Sequence, residues 1–114
     1  MVRAIVIEEA DGGISTAVGT VDEAALPVGD VTVDVAFSTV NYKDALAMVN
    51  GKPVVGSFPM VPGIDFAGTV AASASDAWAV GDAVVLNGWG VGERRFGGLA
   101  DADAEEPRPH PVRL

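Results

Sequence analysis

The chain contains no cysteine. That excludes disulfides, Cys-based zinc sites and thiol nucleophiles. Its one histidine, His110, stands between Pro109 and Pro111, where nothing would orient it as a base or ligand. No apolar run approaches the ~20 residues that span a bilayer. The N-terminal run "VRAIVI" is cut off by Glu8 and Glu9 well short of a signal-peptide core. Basic residues are scarce: 7 Lys+Arg against 16 Asp+Glu give a net charge of −9, a surface that repels phosphate backbones. The expectation is a soluble, cytoplasmic protein with neither a nucleic-acid nor a membrane partner.

What the 114 residues do contain is enough for about one domain with a real core. Residues 2 to 7 are β-branched and apolar, "EEADGG" supplies turn chemistry, and "ISTAVGTV" resumes strand composition, which together predict a hairpin. After the Pro27 and Gly29-Asp30 turn signals, Val31, Val33, Val35 and Phe37 alternate with Thr32, Asp34, Ala36 and Ser38. This predicts a strand with one buried face. From Asn41 the period changes to that of a short helix, with Tyr42, Leu46 and Val49 as its apolar stripe and Asn50-Gly51 as its stop. A loop punctuated by Pro53, Gly56, Pro59 and Pro62 leads to the strand-like "GIDFAGTVAA" and, after a connection, "AVVLN". Five or six short strands, one helix and many Gly/Pro turns predict a small, mainly β barrel or sandwich. The final residues, "DADAEEPRPHPVRL", carry three prolines at every second position and no apolar periodicity, which predicts an extended, unpaired tail.

Two stretches invite chemistry. "GWGVGERRFGG" packs five glycines into eleven residues, but it gives G-x-G-x-G with Arg95 where a dinucleotide fingerprint needs its third glycine, and no amphipathic helix follows. Trp89 within it is a candidate for facing a ligand or another domain, whereas Trp78, before the Val80-Gly81-Asp82 turn, reads as a packing anchor. The second stretch is "VNYKDALA". Asn41 is a favoured N-cap, Asp44 three residues on completes an approximate capping box and suits the helix dipole, and Lys43, a cation in the first turn, opposes that dipole and is left without a role.

"VNYKDALA", "FPMVPGIDFAGTV" and "VGDAVVLNGWGVGERRFGGLA", with the opening hairpin, resemble the N-terminal part of the NADPH-dependent acrylyl-CoA reductase group. That group is a quinone-oxidoreductase-like, zinc-independent branch of the medium-chain dehydrogenases/reductases. The resemblance covers about residues 1–100. It implies a GroES-like, alcohol dehydrogenase N-terminal-like domain over 1–100, folded as a partly open β-barrel with one short helix and no Rossmann domain. An acidic, proline-rich disordered tail is expected over 101–114. In zinc-using relatives a Cys at the strand end and a Gly-His-Glu bind the metal; here those places read Asn41 and Gly63-Ile64-Asp65, so no metal is expected.

The resemblance also implies hydride transfer from NADPH to an unsaturated acyl-CoA or a quinone-like substrate, with the cofactor carrying the reactivity. Tyr42 matches the family's cofactor-contacting tyrosine, and Asn41 and Asp44 are the expected supports for the nicotinamide end or the substrate. A full member is about three times as long and carries a nucleotide-binding domain. The chain is therefore expected to be truncated and inactive alone, with a separate Rossmann-domain chain as a possible partner. The alternative is a non-enzymatic GroES-like module that binds a partner through an apolar face bearing Tyr42, Met60 and Trp89.

Overall fold

The computed structural model describes residues 2–26, 29–102 and 110–113. Strands Val2–Ala10 (β1) and Gly13–Val21 (β2) form the expected hairpin, in register from Val2 opposite Val21 to Ala10 opposite Gly13. Then come Val31–Ser38 (β3), helix Tyr42–Asn50 (α1), Asp65–Ser73 (β4), Ala83–Asn87 (β5), Ala100–Ala102 (β6) and His110–Arg113 (β7). They make a three-stranded sheet, β2-β1-β6, and a four-stranded one, β5-β4-β3-β7, with every pairing antiparallel. The architecture is mainly β with one short helix, as the sequence predicts.

Alternation in β3 buries Val31, Val33 and Val35 against Phe66, Val70 and Val91, with Val84 and Leu86 packed alongside. A second cluster, Ile7, Ala47, Val55 and Met60, joins the hairpin to the helix and the proline-rich loop. Ile7 and Met60 exchange both backbone hydrogen bonds, at 2.8 and 2.9 Å, so the loop is tied to β1 by main chain as well as by packing. Phe37 breaks the expected pattern. The β3–β4 register shifts between Val35 and Phe37, and the extra residue turns Phe37 outward, leaving it 76% exposed.

The expected unpaired tail over 101–114 needs correction at its described parts. Ala100–Ala102 pairs with β1, and His110–Arg113 pairs with β3 from Thr32 opposite Arg113 to Val35 opposite His110. Pro111 is compatible with this because β7 lies at the edge of its sheet, where a missing N–H is tolerated. Residues 103–109 lie outside the described part of the chain.

The segment Pro62-Gly63-Ile64 runs between two stretches of the glycine-rich loop. Gly97 N–H donates to Val61 O at 2.7 Å, Gly98 N–H to Gly63 O at 3.1 Å, Leu99 N–H to Pro62 O at 3.1 Å, and Gly88 N–H to Ile64 O at 2.9 Å. Main chain meets main chain so closely that side chains do not fit: a Cβ on Gly63, whose φ is +112°, would lie 2.7 Å from Gly98 N, and one on Gly97 would lie 2.6 Å from Pro62 O. Gly97→Ala is expected to cost about 2–3 kcal/mol in denaturant unfolding. The control Gly13→Ala, whose Cβ would enter open space, should stay within about 0.5 kcal/mol.

Candidate functional site

The site grows from the junction of β3, α1 and β4. Asn41 caps the helix in an extended conformation (φ −103°, ψ 166°), and Asp44, at the third helical position, turns back over it. Among the described residues Asp44 is the buried charged side chain, only 1% exposed. Its Oδ2 accepts the Asn41 N–H at 2.8 Å and the Asn41 Nδ2 at 3.3 Å; its Oδ1 accepts the N–H groups of Gly63 and Ile64, each at 3.0 Å. A buried carboxylate is costly unless such donors satisfy it, and here both oxygens are occupied. The positive end of the helix adds to its stabilisation.

This use of Asp44 sets the rotation of the helix. The buried face runs through Asp44 and Ala47, with Met48 half-buried beside them against the second core cluster. Tyr42 and Val49, expected in the apolar stripe, point away from the core instead. Tyr42 is 81% exposed. It therefore stands at the edge of the domain on a turn that is itself held rigidly.

Around Asn41 lies a second group of contacts. Thr39 Oγ1 donates to Asp65, 2.8 Å from Oδ1 and 3.0 Å from Oδ2, while Asn41 Nδ2 lies 3.2 Å from Asp65 Oδ2 and 3.3 Å from Thr39 Oγ1. Ser38 Oγ donates to the Asp65 carbonyl at 2.9 Å. Sequence reasoning read Asp65 only as the occupant of a zinc-ligand position and did not name Thr39. The available signal was strand pairing: Ser38 opposite Phe66 brings Thr39 and Asp65 together.

Lys43 also finds its partner. Its ammonium pairs with Glu93 of the glycine-rich loop, whose carbonyl accepts the Gly56 N–H at 2.8 Å, so the first helical turn is tied to that loop. Met60, expected on an exposed apolar face, is instead buried in the core at 1% exposure, since its bridge to Ile7 turns it inward. Trp89 is 87% exposed at a φ of +60°, a backbone conformation that costs a non-glycine residue free energy. Trp78 is half-exposed rather than a buried anchor; with Trp89 it lines a groove of about 420 Å³ floored by Val31, Val33 and Leu86.

Residues 27–102 match the family of the alcohol dehydrogenase GroES-like domain. The chain belongs to that family. Over 99 residues this GroES-like domain is 52% identical to the probable acrylyl-CoA reductase AcuI of Escherichia coli (strain K12), covering 87% of this chain and 31% of that protein. It is 37% identical over 99 residues to the putative quinone oxidoreductase YhfP of Bacillus subtilis (strain 168), covering 87% of this chain and 30% of that one. The crystal structure of the yhdH oxidoreductase from Salmonella enterica in complex with NADP matches it with a TM-score of 0.84 and 47% identity, over 98% of this chain and 32% of that chain. The GroES-like domain thus spans about a third of the length of the relatives it matches. Among the described residues no helix is long and apolar enough to cross a membrane, and no group of three or more His, Asp or Glu is placed to hold a metal ion.

The geometry separates the roles of Asp44 and Tyr42. Asp44→Ala leaves the Gly63, Ile64 and Asn41 amides without their acceptor and is expected to cost about 3–5 kcal/mol in denaturant unfolding. Asp44→Asn, which keeps one acceptor oxygen, should cost about 1–3 kcal/mol. Tyr42→Ala should change stability by no more than about 0.5 kcal/mol.

Proposed function

We propose that this GroES-like domain is the substrate- and nicotinamide-facing part of an NADPH-dependent reductase of α,β-unsaturated acyl thioesters, with quinone-like compounds as the second substrate class. The observation that carries the reading is Tyr42: an aromatic ring presented to solvent by a turn whose buried polar atoms are all engaged. That is costly for a surface residue to no purpose and useful for one that packs against a planar ligand. Its setting in a domain 52% identical to a probable acrylyl-CoA reductase supplies the chemistry.

The residues present suit a nicotinamide. Its ring would find the exposed face of Tyr42, and its carboxamide would find the polar neighbourhood of Asn41. Asp44, buried and with both oxygens in use, acts by holding the turn that presents these two. The chemistry the cofactor would supply when bound is hydride transfer to the β-carbon; the proton taken up at the α-carbon would come from solvent or a separate acid, not from the cofactor. The domain's own share is to fix the geometry of the nicotinamide end and to keep water from it. The glycine-rich loop lacks the spacing of a pyrophosphate cradle, so the rest of the dinucleotide surface belongs to a nucleotide-binding domain elsewhere in the polypeptide or on a separate chain.

NADPH fluorescence titration tests this. The 114-residue chain alone should neither bind NADPH tightly nor oxidise it in the presence of acrylyl-CoA. Mixed with a separately made nucleotide-binding domain from the E. coli relative, it should bind NADPH, and Tyr42→Ala should weaken that binding about tenfold, a loss of ~1.4 kcal/mol. Turnover by the chain alone, or binding indifferent to Tyr42→Ala, would contradict the reading.

A further inference from the structure

We infer that Asp65 is a positioning residue for the proposed nicotinamide-facing turn, setting the orientation of the Asn41 side-chain amide without contacting cofactor or substrate. The inference rests on the reading of Tyr42 and Asn41 as that turn, and it adds a residue from a different strand to it.

Three acceptors surround Asn41 Nδ2: Asp44 Oδ2 at 3.3 Å, Asp65 Oδ2 at 3.2 Å and Thr39 Oγ1 at 3.3 Å. An amide can offer either its NH2 or its carbonyl to such a place, and electrostatics decides between them. The NH2 donates two protons toward two carboxylates and a hydroxyl oxygen; the carbonyl would face two negative groups with no proton between them. The helix cap constrains one side of the amide, since the Asn41 side chain accepts the Asp44 backbone N–H; on the other side the Asp44 Oδ2 that faces Nδ2 is shared with the Asn41 backbone N–H at 2.8 Å, and its Oδ1 is committed to Gly63 and Ile64. The second carboxylate, Asp65, makes the reversed amide unfavourable from the β4 side as well.

Asp65 is itself held for this task. Its main chain is fixed by the Ser38 hydroxyl on its carbonyl, and its side chain by the Thr39 hydroxyl, which donates across both carboxylate oxygens. With its one proton so directed, the Thr39 oxygen keeps lone pairs for Asn41 Nδ2. The three residues thus form a closed set in which each fixes the next: strand pairing places Asp65, Asp65 orients Thr39, and both orient Asn41. Unlike Asp44, Asp65 serves no buried backbone amide. Thr39 is exposed and Asn41 half-buried, so water can replace the lost contacts. Removing the Asp65 carboxylate should therefore disturb the orientation of Asn41 while leaving the fold intact.

The test uses the 114-residue chain, labelled with 15N, and the variants Asp65→Ala, Thr39→Val and Thr39→Ser. In the wild type the two Asn41 Nδ2 protons should resonate apart from those of solvated amides and exchange slowly with water. In Asp65→Ala and Thr39→Val they should move to solvated values while backbone signals of β1, β2 and the second core cluster stay in place. Thr39→Ser, which keeps the hydroxyl, should restore them. In the mixture with the nucleotide-binding domain, Asp65→Ala should weaken NADPH binding about fivefold, as expected for one hydrogen bond's worth of positioning. Unchanged Asn41 Nδ2 signals in Asp65→Ala would overturn the proposal, whatever NADPH does. Moved signals with unchanged NADPH affinity would overturn it too. If the wild-type mixture binds no NADPH, the function proposed above fails instead, and the Asn41 signals still decide whether Asp65 orients the amide.

Discussion

One buried carboxylate organises this domain. Asp44 belongs to a nine-residue helix too short to be stable by itself, and through two backbone amides it fastens the start of that helix to Gly63 and Ile64. Those amides sit in a segment that is hydrogen-bonded on both sides to the glycine-rich loop, at Gly97, Gly98, Leu99 and Gly88. Helix, proline-rich loop and glycine-rich loop therefore meet at one side chain. Replacing it disturbs all three at once, because the Gly63 amide it satisfies is buried and those of Asn41 and Ile64 are partly so.

The same carboxylate explains why Tyr42 is exposed. Rotating the helix to bury Tyr42 and Val49 would lift Asp44 off Gly63 and Ile64 and leave one buried and one half-buried main-chain donor without their acceptor. An apolar side chain gains about 1.5–3 kcal/mol from burial, whereas each orphaned donor costs about 1–3 kcal/mol and a buried carboxylate stripped of its donors costs more. The polar arrangement prevails, and the aromatic ring is left at the surface where a ligand can reach it. Lys43 fits this arrangement too, since its pair with Glu93 offsets the unfavourable helix dipole and anchors the neighbouring loop.

Much of this was legible in the residues, where the governing interactions were local. The hairpin, the alternation of Val31, Val33 and Val35, the helix limits and the capping pair Asn41 and Asp44 all follow from neighbours a few positions apart. What was hidden depends on contacts across the fold. The bulge that exposes Phe37 is set by β4, where Gly68 approaches Asp34 so closely that a Cβ would lie 2.9 Å from the Asp34 carbonyl carbon. Asp65 meets Asn41 across 24 positions of chain. Met60 belongs to the core because it bridges to Ile7, and β7 is concealed by prolines that only an edge strand accepts. The apolar stripe of the helix was misassigned for a physical reason: periodicity counts apolar residues, and here the residue that the core needs is an acid.

The central claim is that a turn fixed by Asp44 presents Tyr42 to a nicotinamide ring. It is tested most directly by an isotope-filtered NOE measurement on the 13C,15N-labelled chain, assembled with an unlabelled nucleotide-binding domain and NADP+. The account predicts cross-peaks between the nicotinamide ring protons and the aromatic protons of Tyr42. Nicotinamide cross-peaks to Trp89 or other side chains, with none to Tyr42, would contradict it.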